Sequence, residues 1–189
     1  MNIRLLSSIV ACGLCFATHA QQQIASKVEI PFNRFSDVET LQSYMFKLAE
    51  SYPSLCRVER IGTTALGRPF LAMVINNRQT GDEGTKPAMY IDGAIHANEI
   101  QAGETVLYTA WYLLSGYGTI PKITELVDRS TFYLIPLVNP DGRAEWFANA
   151  NTPNSARTGQ KPVDNDGDGV ADEDGPDDLD GDGHITQMW

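Results

Sequence analysis

Cysteine is scarce in this 189-residue chain, which holds three. Two of them, Cys12 and Cys15, fall in its first apolar stretch. Cys56 is left alone in the body, so a disulfide framework is excluded, and a lone apolar-flanked thiol reads as a core residue rather than a nucleophile. Long hydrophobic runs are missing as well. The stretch from Leu5 to Ala17 falls short of the ~20 apolar residues that a spanning helix needs, and no later segment reaches that length, so no transmembrane segment is expected. Positive charge is absent from one end, because all 14 Lys and Arg precede Pro162. Such a distribution offers no basic surface for nucleic acid. Histidine is limited to three residues, and with His19 in the leader only His96 and His184 remain.

The leader itself is informative. Met-Asn-Ile-Arg, the apolar stretch and Thr18-His19-Ala20 form the basic, hydrophobic and small-residue parts of an export signal over residues 1–20. Ile9-Val10-Ala11-Cys12 loosely resembles a bacterial lipobox, which makes lipid anchoring at Cys12 the alternative to cleavage after Ala20. Either route places the protein outside the cytoplasm, secreted or periplasmic. The rest is long enough for one domain and one core. Its charge is uneven: as many acids as bases precede Pro162, and every other acid of the 24 lies between Asp164 and Asp182. A neutral body over 21–160 is thus followed by a segment of different material over 161–189.

Along the body, strand and helix patterns alternate. Ser36-Asp-Val-Glu39 reads as a capping box, followed by Val38, Leu41, Met45 and Leu48 at helical spacing until Pro53. Strand-like segments follow near 57–63 and 70–76, then a Gly- and charge-rich turn from Thr80 to Lys86, then an apolar run from Ala88 to Ile95. Helices are expected from after Asn98 to Gly116 and from Pro121 to Asp128. "TFYLIPLV", 131–138, reads as a strand closed by the turn "NPDG". Near-continuous apolar strands separated by helices predict an α/β sheet covered on both faces, with ligands at the carboxyl ends of its strands.

His96 lies at such an end, three residues ahead of Glu99 in the first turn of the next helix. Imidazole and carboxylate are good Zn²⁺ ligands, and a catalytic zinc takes three protein ligands plus an open position. The plainer alternative is a solvated His and a Glu that complements the helix dipole. Three stretches bear on the choice: "YPSLCRVERIGTTALGRPF" (52–70), "IDGAIHANE" (91–99) and "LIPLVNPDGRAEW" (134–146). In order and separation, they resemble the zinc carboxypeptidase family of exopeptidases from about Phe35 to Trp146.

The resemblance implies a three-layer α/β/α fold with a mixed sheet, incomplete in this chain, and a peptide hydrolase that removes C-terminal residues. It also makes His96 and Glu99 the first two zinc ligands, with "NPDG" a structural turn at the floor of the site. Arg157 is the nearest match to the family's oxyanion arginine. Departures are equally specific: Asn98 stands where many digestive members have Arg, and neither the residues that grip the terminal carboxylate nor the glutamate base has a counterpart. His184, embedded in "DLDGDGHITQ", follows nothing strand-like, so the third ligand is expected downstream of an N-terminal fragment. Two alternatives stay open: a calcium-binding or interaction protein on a degenerate peptidase scaffold, and a zinc deacylase of small acylated amino acids.

The acidic segment has its own pattern. Asp164, Asp166 and Asp168 before Gly169, and Asp178, Asp180 and Asp182 before Gly183, each repeat the start of a calcium loop, where alternate oxygens converge on one Ca²⁺. The twelfth positions, Gly175 and Trp189, lack the usual bidentate Glu, which predicts modest affinity. A disordered, solvated linker is the competing reading.

Overall fold

A computed structural model of the chain describes residues 24–148 and 167–169. The expected leader and nearly all of the acidic segment lie outside the described residues.

Helix α1, Val38–Ser51, buries Val38, Leu41, Met45 and Leu48, the stripe that its spacing demands. Its cap sits one residue later than the capping box predicts. The Asp37 carboxylate accepts from the Thr40 amide at 2.8 Å. Its pKa lies below the usual carboxylate value, first through hydrogen bonding with the Thr40 side chain and then through this amide. Ser36 is engaged elsewhere, its N–H donating to Glu104 and its carbonyl accepting from Arg143. The helix stops at Ser51, and Pro53 bars its continuation.

Strands β1, Cys56–Thr63, and β2, Pro69–Ile75, form an antiparallel hairpin that turns through Gly67 at φ 84°. Two 3₁₀ turns, Arg78–Thr80 and Glu83–Thr85, fill the Gly- and charge-rich segment. Then come β3, Ala88–Asp92, α2, Ile100–Gly116, α3, Pro121–Arg129, and β4, Thr131–Ile135. The strands form one mixed sheet in the order β1-β2-β4-β3, with β2 antiparallel and β3 parallel to β4. This is the expected α/β class, with α2 and α3 supplying the crossover that a parallel pair requires.

Pairing of Met73 with Leu134 and of Ile75 with Phe132 puts these four side chains on one face of the sheet. They share a single core cluster with Leu41, Met45 and Leu48 of α1, Leu107, Ala110 and Leu114 of α2, and Ile123 and Val127 of α3. Each fully buried Leu or Met among them contributes roughly 1.5–3 kcal/mol. Among the described residues no helix is long and apolar enough to cross a membrane.

Three expectations change. The run from Ala88 to Ile95 is not a buried strand: β3 ends at Asp92 and is the edge of the sheet among the described residues, with Met89 54% and Tyr90 59% exposed. Strand β4 ends at Ile135, three residues early, since Pro136 brings no N–H to a ladder. Finally, "NPDG" opens a helix, α4, Pro140–Ala148, instead of a free turn. Asn139 accepts from the Gly142 amide at 2.9 Å, and Pro140 takes the first helical position, where a missing N–H costs nothing.

Candidate metal centre

Because β3 and β4 are parallel neighbours, their carboxyl ends open on one edge. The chain beyond them stays laced together. Gly93 N–H donates to Ile135 O, Val138 N–H to Gly93 O and Asn139 N–H to Ala94 O, each at 3.0 Å. Ala94 has a φ of 57°, the left-handed conformation that a side chain disfavours by about 1–2 kcal/mol. Burial and the bond to its carbonyl hold it there. That bend leads into the loop carrying Ile95 and His96.

Glu99 N–H then donates to His96 O at 3.1 Å, and Ala102 N–H to Glu99 O at 3.0 Å, so a short turn runs directly into α2. Glu99 is the N-cap of α2, one residue ahead of the first turn, yet its side chain makes no capping bond. Instead a carboxylate oxygen lies 3.1 Å from His96 Nδ1. Both side chains are partly exposed, at 41% and 46%. At this position the carboxylate also complements the positive end of the α2 dipole, so both readings of the pair stay open.

The floor beneath the loop is tight. A Cβ on Gly142 would come within 2.4 Å of Ala97 Cβ, so the first turn of α4 touches the loop as only glycine permits. The next residue back, Asp141, is buried and accepts from Thr64 Oγ1 at 2.9 Å, Leu66 N at 3.1 Å and Arg68 Nη1 at 2.9 Å. It thereby ties the β1–β2 turn to the same floor. On the other side, Arg143 is fully buried and reaches Ser36, Ile100 and Glu104. Burial pulls its pKa down, while the Glu104 and Asp37 charges push it back up.

An imidazole nitrogen and a carboxylate, adjacent and open to solvent, have the donor chemistry of zinc ligands. They fit as part of a site: among the described residues no group of three or more His, Cys, Asp or Glu side chains gathers. His184, Arg157, Asp164, Asp166, Asp178, Asp180 and Asp182 lie outside the described residues. Asp168 is described, exposed between Gly167 and Gly169, whose φ values are 80° and 97°. Asn98, between the two ligand candidates, buries an Oδ1 that accepts no hydrogen bond among the described residues.

Sequence reasoning missed Arg143 and Glu104, whereas Asp141 lies in the stretch it assigned to the floor of the site. A carboxylate inside an otherwise apolar α2 was the available signal for Glu104, since buried charges require a partner.

Known proteins resemble this chain in sequence and in fold. The family profile described as zinc carboxypeptidase matches residues 41–170. Inactive metallocarboxypeptidase ECM14 of Saccharomyces cerevisiae is 36% identical over 113 residues, which cover 60% of this chain and 26% of the relative. Carboxypeptidase A2 of Mus musculus is 35% identical over 121 residues, covering 64% and 28%. Carboxypeptidase D of Anas platyrhynchos is 30% identical over 126 residues, covering 67% and 9%. This chain therefore spans about a quarter of the length of the first two, and less of the third. Among solved structures, thrombin activatable fibrinolysis inhibitor superposes with a TM-score of 0.63 at 21% identity, covering 74% of this chain and 33% of that one. A carboxypeptidase A from Helicoverpa armigera gives 0.61 at 20%, covering 75% and 32%. These two likenesses carry the fold.

Proposed function

This chain belongs to the zinc carboxypeptidase family, and on that premise we propose that it is the N-terminal part of an exported zinc-dependent hydrolase that removes C-terminal residues from peptides. The observation that carries the reading is the His96 and Glu99 pair, side by side at the carboxyl end of β3. His96 and Glu99 would hold Zn²⁺ together with a third ligand from downstream sequence. A bound zinc supplies Lewis-acid polarisation of the scissile carbonyl. The chain's own residues supply position: the laced strand ends fix the His96 loop, and α4 closes its floor. Arg157 is assigned to the developing oxyanion on sequence spacing, as a charged donor of the kind that stabilises such a charge. The export-signal pattern of residues 1–20 supports export.

A second reading is favoured by one observation, that the relative 36% identical to this chain is named inactive. On that reading the scaffold is kept for binding, with the Asp164 to Asp182 segment as a calcium-dependent surface. Activity and metal content of the full-length protein separate the two. The first reading expects one zinc per chain, turnover of peptides with a free C-terminal residue, and loss of both in His96→Ala and Glu99→Ala. It also expects no turnover by the 189-residue chain alone. Stoichiometric zinc retained in the double variant would refute the ligand assignment, and zinc without turnover would select the binding scaffold. For calcium, amide exchange across 157–187 should slow at millimolar Ca²⁺. Unchanged exchange would leave an acidic linker.

A further inference from the structure

The least expected group near the metal-ligand pair is the Arg143 guanidinium. It is completely buried, and its neighbours are arranged around it. Nε and Nη2 donate to Ser36 O at 3.0 and 2.6 Å, Nη1 donates to Ile100 O at 2.8 Å, and Nη2 meets both Glu104 oxygens at 2.9 and 2.7 Å. Glu104 in turn accepts from Ser36 N–H at 2.6 Å. Space for this is made by Gly103, where a Cβ would stand 3.1 Å from Nη1. Ile100 is the residue immediately after Glu99, and Glu104 lies on the next turn of the same helix.

Stability alone does not explain a charge pair here. Replacing a buried ion pair with apolar groups of similar volume is often neutral or stabilising, because both ions lose their hydration. What an apolar pair cannot do is hold a particular carbonyl at a particular angle. The guanidinium can, since its planar fork places several donors rigidly at once.

We propose that Arg143, locked by Glu104, is a positioning residue for the metal-ligand turn: its bond to Ile100 O fixes the start of α2 so that Glu99 faces His96. The proposal rests on the zinc reading of His96 and Glu99, and it adds a residue that touches neither ligand nor metal. Groups of this kind, which orient metal ligands from behind, change metal affinity by about 10–100-fold when removed.

The test uses the full-length protein with Arg143→Met and Glu104→Leu combined, which removes both charges while keeping bulk. Zinc affinity is read by competition with a chelator, and native-state amide exchange is read at Ala102, whose N–H bonds Glu99 O, and at Leu107 in mid-helix. The expected result is zinc bound about 10–100-fold more weakly, with Ala102 exchange accelerated well beyond that of Leu107. If the double variant does not fold, Arg143→Lys replaces it, because an ammonium keeps the charge but cannot span Ile100, Ser36 and Glu104 together; the same result is expected. A folded variant with unchanged Ala102 exchange overturns the proposal, as does unchanged zinc affinity. Should the parent and His96→Ala both hold no zinc, the zinc reading itself fails. Ala102 exchange then decides alone whether Arg143 sets the turn.

Discussion

Gly93→Ala is the substitution that most directly probes how the two ligand candidates are held. Gly93 joins the end of β3 to the His96 loop, and its backbone bonds both Ile135 and Val138. Its φ is not in the left-handed region, so alanine meets no backbone objection there. The objection is steric. An added Cβ would lie 2.7 Å from Ala102 O, 2.9 Å from Ala102 C and 3.0 Å from Val106 Cγ2. Two of those atoms are helix backbone and cannot rotate aside, so α2 must retreat from the strand end by roughly half an ångström or more. Overpacking of this kind costs about 1–3 kcal/mol. The gain from a stiffer unfolded chain offsets roughly 0.4–1 kcal/mol. The net loss of about 1–2 kcal/mol should lower the urea midpoint by roughly 0.5–1 M at an m-value of about 2 kcal/mol/M. Tryptophan fluorescence and circular dichroism in urea measure it. The control is Gly84→Ala, where nothing lies within 4 Å. Because Glu99 caps α2 while the loop carries His96, the same retreat should also weaken zinc binding in the full-length protein. A Gly93→Ala midpoint no lower than that of Gly84→Ala would refute the close-contact argument.

Two further outcomes are expected. Burial pushes the Cys56 thiol up to about 12, against a small opposing effect of Arg57. The unfolded thiol loses its proton near pH 8.5–9, so the native state binds more protons between about 9 and 12, and stability falls with rising pH across that window by roughly 1 kcal/mol per unit. Cys56→Ala should remove that slope in urea melts taken from pH 8 to 11; a slope equal to the parent's would show that the thiol ionises normally. Asp141→Ala strips a buried acceptor from Thr64, Leu66 and Arg68. It should cost about 2–4 kcal/mol and Asp141→Asn less, since one acceptor oxygen survives. Equal urea midpoints for the parent and the alanine variant would sink the clamp.

What could be read in advance divides along sequence distance. Helix α1 was legible because its buried stripe is periodic within fourteen residues, and the meeting of His96 with Glu99 was legible because the two are three apart. Local chemistry misled where two structures share one signature. Asn-Pro opens a turn as readily as a helix, because an Asn acceptor and a fixed proline φ serve both. The helical bond from Arg143 N–H to Asn139 O and the continuation to Ala148 distinguish them. The exposure of Met89 and Tyr90 was not legible at all, since an apolar strand does not record how many neighbours its sheet will give it. Arg143 and Glu104 stand 39 positions apart. No local pattern pairs them, although a carboxylate within the apolar pattern of α2 must either face water or find a cation. The same reasoning applies to the third ligand that the zinc proposal calls for: nothing local to His96 and Glu99 says where along the chain it comes from, so it must be sought by the strand end it follows.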